Sequence, residues 1–246
     1  LVTNSDGSTL GTSGGRYVTD SAGSILVEGI APGTTLIVKE TRARENYVLD
    51  DTPQTAVIKA GQTVELEFRN QPCGSLLIRK VCSVNPSVTL KNAEFKVVYS
   101  DGSLVGSSNG IYRSDENGEI RIDGLIPSRS VVVTETKAPA GFLIDTQSQT
   151  AVIQAGRPVS LTFKNQPMGQ LIVQKRDSAT NQPLPGAEFR VTTAAGCEVG
   201  LDGVIGTSTL TQNGLFTTDS NGEIRITNLA PGAYVLTEIR APDGYV

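Results

Sequence analysis

The sequence predicts an all-β protein built of tandem antiparallel β-sandwich repeats of about 95 residues. Three observations carry this prediction: segments that recur at one constant spacing, apolar alternation of period two inside each recurring unit, and Gly/Asp/Asn turns where the alternation stops. "VTETKAPAGF" at Val133–Phe142 returns as "LTEIRAPDGY" at Leu236–Tyr245 and, more loosely, as "VKETRARENY" at Val38–Tyr47. "FRNQP" at Phe68–Pro72 returns as "FKNQP" at Phe163–Pro167, and "GSLLIRK" at Gly74–Lys80 as "GQLIVQK" at Gly169–Lys175. Glu40 and Glu135, Asn70 and Asn165, and Lys80 and Lys175 are each 95 positions apart, close to the usual size of one domain.

Within a unit the Val/Ile/Leu/Thr alternation predicts strands at Leu76–Val81, Phe95–Tyr99, Glu119–Ile122, Val131–Glu135, Ala151–Gln154 and Pro158–Asn165, with almost no helix. "TDSAG" (Thr19–Gly23), "SDENG" (Ser114–Gly118) and "TDSNG" (Thr218–Gly222) read as tight turns with glycine where positive φ is needed. The EF-hand carboxylate series is missing from them, so no metal is expected. Gln71–Gly74 and Gln166–Gly169 read as short linkers, because Pro and Gly stop a strand there. They divide the chain into residues 1–72, a repeat lacking its first strand; 73–167, a complete repeat; and 168–246, a repeat lacking its last strands. Leu1 aligns with Lys96 and Val246 with Val48, so a piece of a longer array is expected. The third repeat carries about ten extra residues around Cys197–Gln212, which read as a surface loop where a binding function could vary.

Composition removes many functions. With no His, no Trp and one Met, imidazole acid/base catalysis, His-ligated metals and Ser/His or Cys/His nucleophile pairs are excluded. A net charge of −4 with dispersed Lys and Arg argues against a nucleic-acid partner, which calls for clustered cations. No run reads as a membrane span or a signal peptide. Cys73, Cys82 and Cys197 form no CxxC, and Cys73 and Cys82 bracket one expected strand. At about 3.3 Å per residue they lie roughly 30 Å apart, too far for a disulfide. The chain has no N-x-S/T acceptor site.

The alternation also produces an anomaly. Leu76 and Ile78 lead to Lys80 on the same face, Val131 and Val133 to Glu135, and Val159, Leu161 and Phe163 to Asn165. The same phase puts Glu40 and Asn70 on inward faces of the first repeat, and Lys175 and Glu238 on those of the third. Charged side chains are rarely buried unless paired, so these residues are expected to meet. Two outcomes are open at this point. One is a buried Lys–Glu ion pair capped by Asn, or strand-end side chains that reach out to water. The other is amide exchange: a buried Lys amine that loses its proton attacks the Asn165 side-chain carbonyl, while a protonated Glu135 polarises that carbonyl and relays protons so that ammonia leaves.

"IVQKRDSATNQPLPGAEFRV" (Ile172–Val191), "TTDSNGEIRITNLAPGAYVLTEIRAPDGYV" (Thr217–Val246) and "LTFKNQP" (Leu161–Pro167) resemble the successive strands of Cna B-type domains. These are the SpaA-like, prealbumin-like β-sandwiches, related in architecture to Ig-like sandwiches, of Gram-positive surface adhesins and pilins. The resemblance covers the whole chain. It implies a reactive Lys at Lys80 and Lys175, a catalytic Glu at Glu40, Glu135 and Glu238, and an acceptor Asn at Asn70 and Asn165. Two departures stand out: "KVCS" where the family has Lys-x-Asp, and "KNAEF" (Lys91–Phe95) where it has "GAEF". Glu94 and Glu188, the glutamates of that last segment, are read as structural.

The expected function is therefore a structural stalk or spacer of a bacterial cell-surface adhesin or pilus-like fibre, extracellular on the cell wall, cross-linked by its own Lys80–Asn165 isopeptide bond. It needs no cofactor, and each site turns over once, so it is no enzyme in the ordinary sense. Only the second repeat holds all three residues; Asn70 and Lys175 lack partners. The bond would close a loop of 85 residue steps from Lys80 to Asn165 and, by loop entropy, stabilise the fold by about 4–5 kcal/mol. The expected partners are neighbouring repeats of the same polypeptide. The alternative is an adhesin module that binds a host matrix protein or glycan, although the scarcity of aromatic residues disfavours a sugar-stacking platform.

Overall fold

A computed structural model describes residues 1–106, 108–199 and 215–245. Among these the regular elements are fifteen strands, with no helix. The first repeat contributes β1 (Val2–Asn4), β2 (Thr35–Val38) and β3 (Gln54–Val57). The second contributes β4 (Gly74–Cys82), β5 (Glu94–Tyr99), β6 (Ile111–Arg113), β7 (Glu119–Leu125), β8 (Ser130–Lys137), β9 (Gln149–Val152) and β10 (Pro158–Asn165). The third contributes β11 (Gly169–Gln174), β12 (Glu188–Thr193), β13 (Phe216–Thr217), β14 (Glu223–Leu229) and β15 (Tyr234–Arg240). No helix among the described residues is long and apolar enough to cross a membrane.

In the second repeat the strands form two sheets, ordered β10-β4-β7 and β6-β5-β8-β9. Successive side chains on a strand point to opposite faces, so one apolar row per strand turns inward. Leu76 and Ile78 of β4, Ile120 and Ile122 of β7 and Phe163 of β10 thus meet Phe95 and Val97 of β5, Val131 and Val133 of β8 and Ala151 of β9 in one buried cluster. Phe95 and Phe163 touch across the sheets, edge to face, with ring centroids 4.9 Å apart. At one side the layers are stapled: Gln149 Nε2 on β9 donates to the Thr162 carbonyl of β10 at 2.9 Å. The strand expected at Ala151–Gln154 lies two residues earlier, at Gln149–Val152.

One pairing differs from the antiparallel pattern. β10 runs parallel to β4, in a register that sets Phe163 opposite Lys80 and Asn165 opposite Cys82. Parallel neighbours cannot be joined by a hairpin, and here the rest of the domain forms the connection. Both strands therefore end at the same edge of the sandwich, which brings Lys80 and Asn165 to one place.

The glycine of the "SDENG" turn fixes the strand that carries Lys80. Asp115 accepts the amides of Asn117 and Glu119 at 2.9 and 2.8 Å and so caps its own turn. Gly118 follows with φ +72, and a Cβ there would lie 2.6 Å from the Lys80 carbonyl and 2.9 Å from the Leu90 nitrogen. Gly222 meets Lys175 and Leu184 in the same way, at 2.5 and 2.8 Å.

Among the described residues the first and third repeats carry fewer strands than the second. The first keeps one sheet, β1-β2-β3, the counterpart of β5-β8-β9. The counterparts of β7 and β10, Ser24–Ile30 and Thr63–Asn70, form no strand. Ile25 is 46% exposed, whereas its counterpart Ile120 is 5% exposed. The third repeat keeps β11-β14 and β13-β12-β15, and β15 is exposed along most of its length, without the strands that follow β8 in the second repeat. The insertion expected around Cys197–Gln212 lies largely outside the described residues.

Candidate functional site

Lys80, Glu135 and Asn165 meet in the second repeat at the edge where β4, β8 and β10 converge. Each continues an apolar row inward, so each is buried: Lys80 at 0%, Glu135 at 1% and Asn165 at 1% exposure. The register explains their neighbours. Glu135 sits opposite Phe95 and Lys80 opposite Phe163, so the Lys80 ammonium carbon chain leads between two rings, with Nζ 5.6 and 5.9 Å from their centroids.

The carboxyl of Glu135 bridges the other two groups. Its Oε1 lies 3.0 Å from Lys80 Nζ, and its Oε2 accepts from Asn165 Nδ2 at 2.9 Å. Oε2 also accepts the backbone N–H of Asp145 at 3.0 Å, and the second hydrogen of Asn165 Nδ2 goes to the Leu143 carbonyl. The hydrogen bonding is incomplete on the reacting side. Lys80 Nζ, Glu135 Oε1 and Asn165 Oδ1 are all buried, and beyond the ion pair between the first two none has a hydrogen-bond partner. Leaving such groups unmet costs about 1–3 kcal/mol each, and more when charged. Burial pushes the Lys80 amine below its ordinary range, against the opposing pull of the Glu135 hydrogen bond and of the Glu135 and Asp145 charges.

The other expected residues form partial sites. In the first repeat Asn70 Nδ2 donates to Glu40 Oε1 at 2.8 Å, with Glu40 Oε2 and Asn70 Oδ1 left buried and unmet. In the third Lys175 Nζ donates to Glu238 Oε2 at 2.8 Å, but the two side chains are 25% and 32% exposed. No counterpart of β10 covers them. Glu94 and Glu188 lie apart from these sites and pair on the surface with Arg113 at 2.9 Å and Arg240 at 2.7 Å. Among the described residues no group of His, Cys, Asp and Glu could hold a metal. The cysteines are free: Cys82 is buried, Cys73 half-buried and Cys197 exposed.

Sequence reasoning missed the loop after β8, whose backbone touches both Glu135 and Asn165 through Asp145 and Leu143. Its only signal was the recurrence of the "AP-x-GF/Y" segment that leads into it.

The chain matches the SpaA prealbumin-like fold domain model three times, over residues 1–72, 74–167 and 169–246. Similar solved structures include the Bacillus anthracis TIE protein, 28% identical with a TM-score of 0.43, covering 86% of this chain and 37% of that one. A streptococcal ancillary pilin is 25% identical, with a TM-score of 0.41 and coverage of 88% and 69%. The shaft pilin SpaA of Lactobacillus rhamnosus GG is 17% identical, with a TM-score of 0.42 and coverage of 71% and 90%. The chain thus spans just over a third of the length of the B. anthracis protein. No curated protein matches it.

Proposed function

Because this chain belongs to the SpaA family of prealbumin-like fold domains, we propose that it is a stalk or spacer segment of a bacterial cell-surface adhesin or pilus-like fibre whose second repeat cross-links itself through a Lys80–Asn165 isopeptide bond. In this reading residues 1–72, 73–167 and 168–246 are three such domains in tandem. The extracellular, Gram-positive setting follows from the Cna B-type resemblance. The observation that supports the chemistry is the placement of one carboxyl across the nucleophile and the leaving group, with Oε1 at Lys80 Nζ and Oε2 at Asn165 Nδ2.

The pair reacts in its neutral form: Lys80 Nζ is unprotonated with a free lone pair, as its burial favours, and the carboxyl proton starts on Oε2, beside Asn165 Nδ2. Nζ attacks Asn165 Cγ and a C–N bond forms. Glu135 takes a proton from Nζ at Oε1 and delivers one from Oε2 to Nδ2, so the Cγ–Nδ2 bond breaks and ammonia leaves. The product amide retains a single N–H on the lysine nitrogen, which relieves the unmet ammonium donors. The reaction needs no cofactor and happens once per site, so the domain is a self-modifying structural protein rather than an enzyme. Glu40 and Glu238 hold the same place in their repeats, with Asn70 and Lys175 as the matching halves of incomplete sets.

Intact mass tests this. The wild-type chain is expected to be lighter than its sequence mass by one ammonia, and Glu135→Ala to carry the full mass. A wild-type chain of full mass would sink the mechanism and leave the fold untouched.

A further inference from the structure

Resting on that reading, we infer that the loop at residues 141–145 makes the site selective for an amide, so that it accepts asparagine at position 165 and discriminates against aspartate. Two acceptors face the leaving nitrogen of Asn165: the Leu143 carbonyl and Glu135 Oε2. A backbone carbonyl can only accept, so the atom facing it has to be a donor. The –NH2 of an asparagine supplies two hydrogens and satisfies both acceptors. Rotated by half a turn, the side chain would set its own carbonyl oxygen against the Leu143 oxygen.

An aspartate has oxygen in both places and meets Leu143 only as the protonated acid. Its reaction would form the same Nζ–Cγ bond and release water, starting from a carboxylic acid rather than a carboxylate. Lys80 and Cys82 from β4, Glu135 from β8 and the exposed Asp145 of the loop are the titratable groups around that position.

The loop cannot swing away from a poor acceptor, because it is zipped onto the chain just past β10. Leu143 N–H donates to the Gln166 carbonyl at 2.9 Å and Met168 N–H to the Gly141 carbonyl at 2.8 Å, and Phe142 bridges to Pro167. The Asp145 N–H in turn fixes the carboxyl of Glu135 by its Oε2. Leu143 is thus a specificity-determining contact through its backbone, and Asp145 a positioning residue.

The test compares wild type with Asn165→Asp, each collected unfolded in denaturant straight after synthesis, folded by dilution at stepped pH, and followed by intact mass. Wild type should lose ammonia at a rate that changes little around neutrality. Asn165→Asp should lose water at least about tenfold more slowly at neutral pH and speed up as the pH falls, as the protonated fraction grows. An aspartate variant that matches wild type at neutral pH with a flat profile overturns the inference.

Lys80→Met supplies a second readout that does not depend on reaction or on the aspartate variant folding. It keeps Asn165, Glu135 and the loop, and both side-chain amide protons of Asn165 should exchange slowly by NMR. Exchange at the rate of a free amide overturns the inference. A wild-type chain of full mass defeats the cross-link itself, and the Lys80→Met exchange rates then decide the amide contacts alone.

Discussion

Lys80 is among the largest fully buried side chains of the described residues, and it has one close polar partner where an ammonium offers three donors. Its burial has a consequence for stability in the absence of the bond. Below the ordinary lysine value of 10.5 the unfolded chain holds a proton on Lys80, and in the folded state burial lowers that affinity. Between the lowered value and 10.5 the unfolded state binds more protons, so stability rises with pH through that window. Chemical denaturation of Asn165→Ala, which keeps Lys80 and Glu135 but cannot react, should show this rise; adding Lys80→Met should abolish it. The three side chains were legible in the sequence because each is a polar type in an apolar row. Leu143 and Asp145 were not, because they act through a carbonyl and an amide that every residue carries.

At the scale of elements, the parallel pairing of β10 with β4 and two small local contacts decide whether the site assembles. Gly118 combines a left-handed φ with a Cβ position already filled by the Lys80 backbone. Gly118→Ala should cost more than about 1 kcal/mol and displace the end of β4, read as a lower denaturation midpoint together with a larger fraction of full-mass protein. Gln149→Ala removes the hydrogen bond that ties β9 to β10 and should cost about 1 kcal/mol while slowing ammonia loss. The same contact recurs in the first repeat, where Gln54 Nε2 donates to the Glu67 carbonyl at 2.7 Å. Alternation located most strands within a residue or two. It misplaced β9, because Ile153 is buried just past the strand end and continues the apolar pattern without the pairing.

At the scale of the whole molecule, the three repeats serve as controls for one another. The Lys–Glu contact forms in the third repeat at 2.8 Å yet stays open to water, so strand pairing up to β15 is enough to bring the pair together but not to bury it. The Glu–Asn contact of the first repeat forms without any lysine strand. Among the described residues the second repeat combines contact with full burial. If the amide forms, tension applied to the ends of the chain crosses from β4 to β10 without unfolding what lies between. In single-molecule pulling, wild type should release none of the 84 residues between Lys80 and Asn165, and Glu135→Ala should release them all. Reducing agent should change neither trace, because the link is an amide and the cysteines are free.

The sequence by itself determined the repeat, the all-β class and the identity of the three polar residues, since spacing, period-two alternation and residue type are local properties that survive without coordinates. Only the tertiary structure decided that β10 lies parallel to β4 and that the loop after β8 folds back over the site. Strand direction and the path of a loop depend on pairing between segments tens of residues apart, which no local pattern encodes. Lys80 and Asn165 meet for that reason: two strands from opposite ends of the domain finish side by side.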